Sequence, residues 1–422
     1  MSRKMRSVAA GRWWRIVSAV FVIVLGFSSP VGHLIALPRR IEVPVGQYVR
    51  LPWSRWLPVS ISADSPSEPT SVQLVGQGAA INVAGHSLGH YLIRFHLFGW
   101  IPWKPIPVDV TKPVYEVPGG ESIGVLVHTK GLVVTGYTNM SGVNPAQKAG
   151  VKPGDVITQI GPQVALSDRV LADAIARAGR THAKLKLTLT GRKRRVRWIE
   201  PVWSKRLHRF QSGMAVEDRA SGVGTMTFYS PQTGHYAALG HSMTDGLTKI
   251  PAPVAHGKIL GANVVSIVRG TPNTPGQKVG VLSGPNNIDG SVQTNGMFGI
   301  TGYLRHRPMT GKQKPMPIAL PDQVRPGPAT IETVIHGQQP EQFRINIVKT
   351  RLQFSPQTKG LLFKVTDPKL LAKTGGIIQG MSGSPIIQRG KIVGAVTHVL
   401  ISRPTVGYGC YAYWMVKQKA FG

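Results

Sequence analysis

Gln379-Gly380-Met381-Ser382-Gly383-Ser384-Pro385-Ile386-Ile387 is the stretch on which the reading of this chain turns. It has the form G-x-S-G-x-P, followed by the short turn Arg389-Gly390-Lys391 and a strand-like run, Ile392–Val396. A nucleophilic serine needs a tight turn that projects its hydroxyl while neighbouring backbone N–H groups converge, and glycines permit that turn. The N–H groups of Gly380 and Ser382 are then the candidate oxyanion hole, the donor pair that stabilises a tetrahedral intermediate. The same pattern also arises as an ordinary Gly/Ser turn between two strands. A base and an orienting acid therefore have to be found elsewhere.

The C-terminal half offers His208, His235, His241, His256, His306, His336 and His398 as bases. Only His241 lies in a compact motif, Ala238-Leu239-Gly240-His241-Ser242-Met243-Thr244-Asp245, where a strand runs into Gly-His as in chymotrypsin-like β-barrels. His398 is a rival because it follows Ser382 closely, although Val396-Thr397-His398-Val399 reads as strand. The acid that orients the imidazole has two candidates by position, Asp245 and Asp367, and spacing alone does not choose between them. No H-E-x-x-H is present and the histidines lack ligand spacing, so metal-dependent hydrolysis is the weakest reading. No cofactor is expected.

Working outward, the 422 residues carry 50 Lys+Arg against 18 Asp+Glu, a net charge of +32. A 42% apolar fraction excludes a disordered chain, and a lone Cys410 excludes an intrachain disulfide framework or a Cys-based zinc site. Gly 49 and Pro 33 make 82 of 422 residues, above the rough average of 12%, which points to strands and turns. The densest basic run, Arg192-Lys193-Arg194-Arg195, lies between strand-like pieces with no nucleic-acid-binding signature beside it. Salt-sensitive binding to any polyanion is expected, specific nucleic-acid binding is not.

The expected fold is mainly β. Arg3, Lys4, Arg6, Arg12 and Arg15 precede an uncharged stretch, Ile16–Pro38, whose centre is IVSAVFVIVLGF. A positive segment before an apolar one directs export with the N-terminus left inside. Residues 1–38 are therefore read as a signal anchor, without an evident A-x-A cleavage site, and the rest of the chain as lying outside the cytoplasm. Residues 39–112 read as a small β-rich module, 113–200 as an α+β domain and 201–422 as an all-β sandwich or barrel.

The 113–200 segment carries Pro145-Ala146-Gln147-Lys148-Ala149-Gly150-Val151-Lys152-Pro153-Gly154-Asp155-Val156-Ile157. It resembles the signature of PDZ domains, in which a short helix ends at a Gly and Pro-Gly-Asp turns the chain into a buried strand. Around it, strands are predicted at Ile123–Val127 and Leu132–Tyr137, and a helix over Ser167–Ala178 with Ser167 as N-cap. The resemblance implies a peptide groove between the second strand and the long helix, filled by strand addition to the exposed edge. Ser122, Ile123, Gly124 and Val125 stand at its carboxylate loop and edge, and Val170 and Ala174 on the facing helix.

Taken together, GTMTFYSPQTGHYAALGHSMTD, VTDPKLLAKTGGIIQGMSGSPIIQRGKIVGAVTHV and PTVGYG resemble the stage IV sporulation protein B family, the SpoIVB-type serine peptidases. The likeness extends over about residues 90 to 416, including LFGWIPWKPIPVDV, PGGESIGV and the PDZ segment. It implies a chymotrypsin-like, exported, membrane-associated serine endopeptidase with His241 as base, Asp367 as orienting acid and Ser382 as nucleophile. It further implies self-cleavage at the forespore membrane. The implied target is the inhibitory subunit of an intramembrane metalloprotease complex, so that sigma K is activated during sporulation. Two other readings compete: a non-catalytic membrane-anchored PDZ scaffold, and a basic binder of anionic polymer.

Overall fold

Alternation of apolar and polar residues is the signature of a half-buried strand, and in this chain it builds a closed barrel. In the computed structural model, which describes residues 37–418 except 53–58, 65–71, 78–79, 98–99, 141, 166, 191–193, 245–253, 283–287 and 307–313, six strands close on themselves. They are Gly327–Thr333, Glu341–Thr350, Leu361–Val365, Arg403–Tyr411, Lys391–Leu400 and Pro385–Gln388, and the ring is completed where Thr330 and Ile331 pair with Ile387 and Ile386. In Leu361–Val365 the residues Leu361, Phe363 and Val365 are buried while Lys364 is exposed. They share one core with Ile331, Phe343, Ile345, Ile386, Ile392 and Val396. Each such buried side chain contributes about 1.5–3 kcal/mol. The helix Ala412–Gln418 adds Trp414 and Met415 to that core, with Trp414 Nε1 donating to Gln353 Oε1 at 2.9 Å.

A second sheet lies N-terminal to the barrel in sequence. Its central strand is Ser122–Tyr137, which pairs with Met214–Thr225 along one edge and with Val254–Gly261 along the other. Two strands were predicted here, Ile123–Val127 and Leu132–Tyr137. The chain instead continues through Gly131 as one strand, with Met214–Thr225 running along both halves as a common partner. Ile123, Val125, Met226, Tyr236, Ile259 and Ile300 form the core of this region. The strand His235–Leu239, buried throughout, pairs with Gly299–Tyr303 and leads directly into Gly240-His241.

The α+β part has its own core. Leu132, Val134, Ile157, Leu187 and Leu189 from strands meet Leu171, Ala174, Ile175 and Ala178 from the helix Asp168–Arg180. That helix starts one residue after the predicted cap, and Ser167 Oγ accepts from Val170 N at 3.4 Å. The short helix Pro145–Lys148 is capped by Asn144 and ends before Gly150, which has φ +74°. The basic run falls at the connection between the antiparallel strands Leu185–Thr190 and Arg195–Ile199, and Arg195 there pairs with Asp155. The strands Ser122–Tyr137 and Met214–Tyr229 run on from the α+β part into the sheet that carries His241, and residues 115–422 pack as one unit.

Residues up to Val114 form the other unit. It contains a four-stranded sheet ordered Ile41–Pro44, Ile101–Thr111, Gly89–Leu97, Val59–Asp64, and a three-stranded sheet ordered Tyr48–Pro52, Ala80–Gly85, Val72–Gln77. Ile41, Val43, Ile93, Phe95, Ile106 and Val108 are buried in it. The signal-anchor stretch falls almost wholly in residues 1–36, outside the described residues. No described helix is long and apolar enough to cross a membrane.

Candidate active site

Ser382 sits on the turn between the helix Pro368–Thr374 and the barrel strand Pro385–Gln388. Two glycines set that turn. Gly380 has φ +91° and Gly383 φ +97°, both left-handed conformations that L side chains avoid. A Cβ on Gly383 would also overlap the carbonyl oxygen of Thr225. Four N–H groups of the turn are used internally. Gln379 N donates to Gly276 O (2.8 Å), Met381 N to Ile378 O (3.1 Å), Gly383 N to Val396 O (2.8 Å) and Ser384 N to Met381 O (2.9 Å). Among the described residues, the N–H groups of Gly380 and Ser382 donate to no protein acceptor.

Peptide geometry explains why those two are left. The C=O and N–H of a trans peptide point in opposite directions. Gln379 O accepts from Lys278 N at 3.0 Å, so Gly380 N–H points away from the strand that holds Lys278. Met381 O accepts from Ser384 N, so Ser382 N–H points away from Ser384. The predicted oxyanion-hole pair is thus the pair of donors that the turn leaves available.

His241 follows a strained approach. Leu239 has φ +74° and Gly240 φ +71°. A left-handed leucine costs of order 1–3 kcal/mol and is the kind of strain that packing sustains at functional sites. A Cβ on Gly240 would lie 3.0 Å from Thr397 Cγ2, and one on Gly383 would crowd the Leu239 backbone, so the ends of the His241 and Ser382 turns pack on each other. Ser382 Oγ donates to Thr397 O at 3.1 Å. The His241 ring lies 5.2 Å, centroid to centroid, from His398, the residue after Thr397. No hydrogen bond joins Ser382 to His241 in this state among the described residues. Productive bonds of this kind commonly tighten only with substrate bound.

The electrostatics suit a neutral base. Burial holds the His241 imidazole below its ordinary value, and the Ser242 carbonyl opposes this from 2.9 Å at Nδ1. Nδ1–H donating to that carbonyl leaves Nε2 as the proton acceptor. His398 is pushed down to about 4, first by desolvation and then by the charges of His241 and Lys359. It enters the site as a neighbour of His241.

Asp367 is placed differently. It is the N-cap of the helix Pro368–Thr374, accepting from Lys369 N (3.0 Å) and Leu370 N (3.2 Å) at Oδ1 and from Arg344 N (3.2 Å) at Oδ2. Burial pushes its carboxyl up, but the N–H groups of Leu370, Arg344 and Lys369 and the Arg344 guanidinium outweigh that and hold it below the usual range. No hydrogen bond or ion pair joins it to His241 among the described residues. Asp245, the other acid weighed, lies outside them.

The structure does not bring the predicted groove residues Ser122–Val125 and Val170 and Ala174 together, and this is a correction. Ser122, Ile123, Gly124 and Val125 are buried in the middle of a sheet, paired with Gly222–Thr225 on one edge and, from Ile123 on, with Ile259–Gly261 on the other. Strand addition needs a free edge, and these residues have none. Ala174 is buried in the separate α+β core, with Val170 packed against that core. Phe210 and Met214, from the chain's own following segment, pack beside them, with Phe210 against Gly179.

Two residues near the turn were not picked out from the sequence. Thr225 Oγ1 donates to Gly380 O at 2.7 Å, and its N–H donates to Ser382 O at 2.9 Å. Lys278 is buried beside Gly380.

Comparison with known proteins gives one family. Residues 208–416 match the family described as SpoIVB peptidase S55. No curated protein matches the chain. Among solved structures, one of Rv3671c from M. tuberculosis H37Rv, a serine-to-alanine mutant in an inactive form, is 14% identical with a TM-score of 0.27, covering 48% of this chain and 81% of that one. A structure of the Rv3671c protease in an inactive form is 15% identical with a TM-score of 0.26, covering 47% of this chain and 83% of that one.

Proposed function

This chain belongs, through residues 208–416, to the SpoIVB peptidase S55 family and is a serine peptidase, and from that premise we propose how its residues divide the reaction. Ser382 Oγ attacks the peptide carbonyl while His241 Nε2 takes its proton. The N–H groups of Gly380 and Ser382 receive the oxyanion. His241 then protonates the leaving amine, and water hydrolyses the acyl-enzyme with His241 again as base. The observation that carries this assignment is the pair of N–H groups that the 379–384 turn leaves without an internal acceptor, on either side of Met381.

Asp367 is proposed as the orienting acid on the strength of the family resemblance. In the described state the Ser242 carbonyl holds Nδ1 instead, so Asp367 acts on His241 only if its helix cap shifts. The PDZ assignment of residues 113–200 is likewise a proposal. It is supported by the Pro145–Ile157 motif and by the helix Asp168–Arg180 packed on strands. The domain limits stay as read from the sequence, with 1–38 as anchor and 39–112 as the small β module.

The resemblance supports a finer reading as well. The chain is exported across the cytoplasmic membrane and held at it, cleaves itself, and clips the inhibitory subunit of an intramembrane metalloprotease complex in sporulation signalling. The test follows intact mass over time for the purified full-length chain, wild type and Ser382→Ala. Fragments from wild type alone are expected. Equal fragmentation of both, with contaminating protease excluded, would falsify Ser382 as nucleophile.

A further inference from the structure

Lys278 is 5% exposed, and its amine lies among three hydroxyls from three different strands. Its Nζ is 2.8 Å from Thr333 Oγ1, 3.1 Å from Ser122 Oγ and 3.5 Å from Thr225 Oγ1. Among the described residues it forms no ion pair. Burial without a countercharge drops the amine to about 7. A buried lysine of this kind is expensive to keep unless its contacts offset the cost.

What it holds is the nucleophile turn. The Lys278 backbone N–H donates to Gln379 O at 3.0 Å. Its methylenes lie along Gly380, where an added Cβ would meet Cβ, Cγ and Cδ at 3.1–3.2 Å. Thr225 has one hydroxyl proton, and it is given to Gly380 O at 2.7 Å, so toward Lys278 that oxygen can only accept. The amine therefore stands on the acceptor side of the Thr225 hydroxyl, at the outer limit of hydrogen-bond reach, and Thr225 fixes the carbonyl of the 380–381 peptide. The backbone bond does the same for the 379–380 peptide.

We propose that Lys278 is a positioning residue for acyl transfer: through its backbone N–H and through the Thr225 hydroxyl it sets the two peptide planes that flank Gly380, and so aims the Gly380 N–H of the oxyanion hole. This rests on the serine-peptidase assignment of Ser382. Lys278 touches neither substrate nor the reacting atoms. Its effect is on the rate of the chemical step, not on binding.

The test uses the purified full-length chain and an alkyl fluorophosphonate, from which Ser382 Oγ displaces fluoride to form an O–P bond. Saturation kinetics separate the maximal inactivation rate from the half-saturating concentration, and circular dichroism and a thermal melt check folding. Lys278→Met keeps the methylenes and removes the amine. Thr225→Val removes only the hydroxyl, and Thr225→Ser restores it. The expected result is a maximal rate lowered roughly 100- to 1000-fold in Lys278→Met and Thr225→Val, with half-saturation unchanged and Thr225→Ser close to wild type. Wild-type rates in folded Lys278→Met and Thr225→Val overturn the proposal and leave Ser382 as nucleophile. Rates lowered in Thr225→Ser as much as in Thr225→Val also overturn it, since the hydroxyl is then irrelevant. Wild type labelled no better than Ser382→Ala overturns the nucleophile assignment and this proposal with it. Wild-type rates in folded Lys278→Met overturn the proposal even where Thr225→Val is slow, and should Lys278→Met fail to fold, Lys278→Leu takes its place.

Discussion

Two Gly/Ser-bearing stretches carry motifs in this chain, and they end in opposite circumstances. Ser122-Ile123-Gly124-Val125 lies in the interior of a sheet with a partner strand on each side. Gly380-Met381-Ser382-Gly383 lies on a turn with two N–H groups left over. Both have the residue types that a binding loop requires. What separates them is how many backbone donors their neighbours consume, and that is a property of topology. A motif becomes a site where the surrounding strands run out of acceptors.

The strongest test of that contrast removes the chemistry from the turn. Ser382→Ala and His241→Ala are each expected to lower turnover on the order of 10⁶-fold, singly and together, because such residues act as a unit. Additive losses in the double variant would show that they do not belong to one site. Peptide-bond cleavage rates, with melts run in parallel, read the result.

Asp367→Asn sharpens the comparison next. Asn caps a helix about as well as Asp, so losing only the charge at the start of the helix Pro368–Thr374 costs about 0.3–1 kcal/mol whatever else the residue does. The expected result is a fall in turnover of about 10⁴-fold, far beyond what that stability loss explains. A variant that is slightly less stable and fully active would confine Asp367 to capping. The orienting role would then rest with the Ser242 carbonyl, which already holds Nδ1.

On the other side of the comparison, Ile123→Ala tests whether the Ser122–Val125 stretch is core or groove. Ile123 is fully buried, so truncation is expected to cost about 2–5 kcal/mol, read as a lower denaturant midpoint. Unchanged stability with altered peptide binding would reinstate the groove.

These contrasts show which parts were legible in the sequence. The Gly-x-Ser-Gly turn, the Gly-His at a strand end, the Ser167 cap and the mainly β character all follow from short-range patterns, and all depend on residues close together in the chain. The groove failed because edge occupancy depends on Met214–Thr225 and Val254–Gly261, each some 80 to 140 positions away from the stretch they pair with. Lys278 was hidden for a sharper reason. In Gln277–Leu282 the alternation places Lys278 inward and leaves Val279, Val281 and Leu282 exposed, the reverse of what hydropathy predicts. The placement of Asp367 was hidden too, since an aspartate before Pro368 reads equally as a cap or a catalytic acid.

That inverted lysine supplies a prediction with a definite sign. The folded amine titrates near 7, against 10.5 for the free group. Below about pH 7 both folded and unfolded chains hold the proton, and above about 10.5 neither does. Between those limits the unfolded chain binds a proton that the folded one does not. Stability from this group therefore rises with pH, by at most about 1.4 kcal/mol per unit. Denaturant unfolding of wild type and Lys278→Met between pH 7 and 10 isolates it, because every other titrating group is common to both. The expected difference grows steadily across that range in favour of wild type. A flat difference would mean that the amine keeps its ordinary affinity for the proton in the fold, and that the hydroxyls of Ser122, Thr225 and Thr333 solvate it as well as water does.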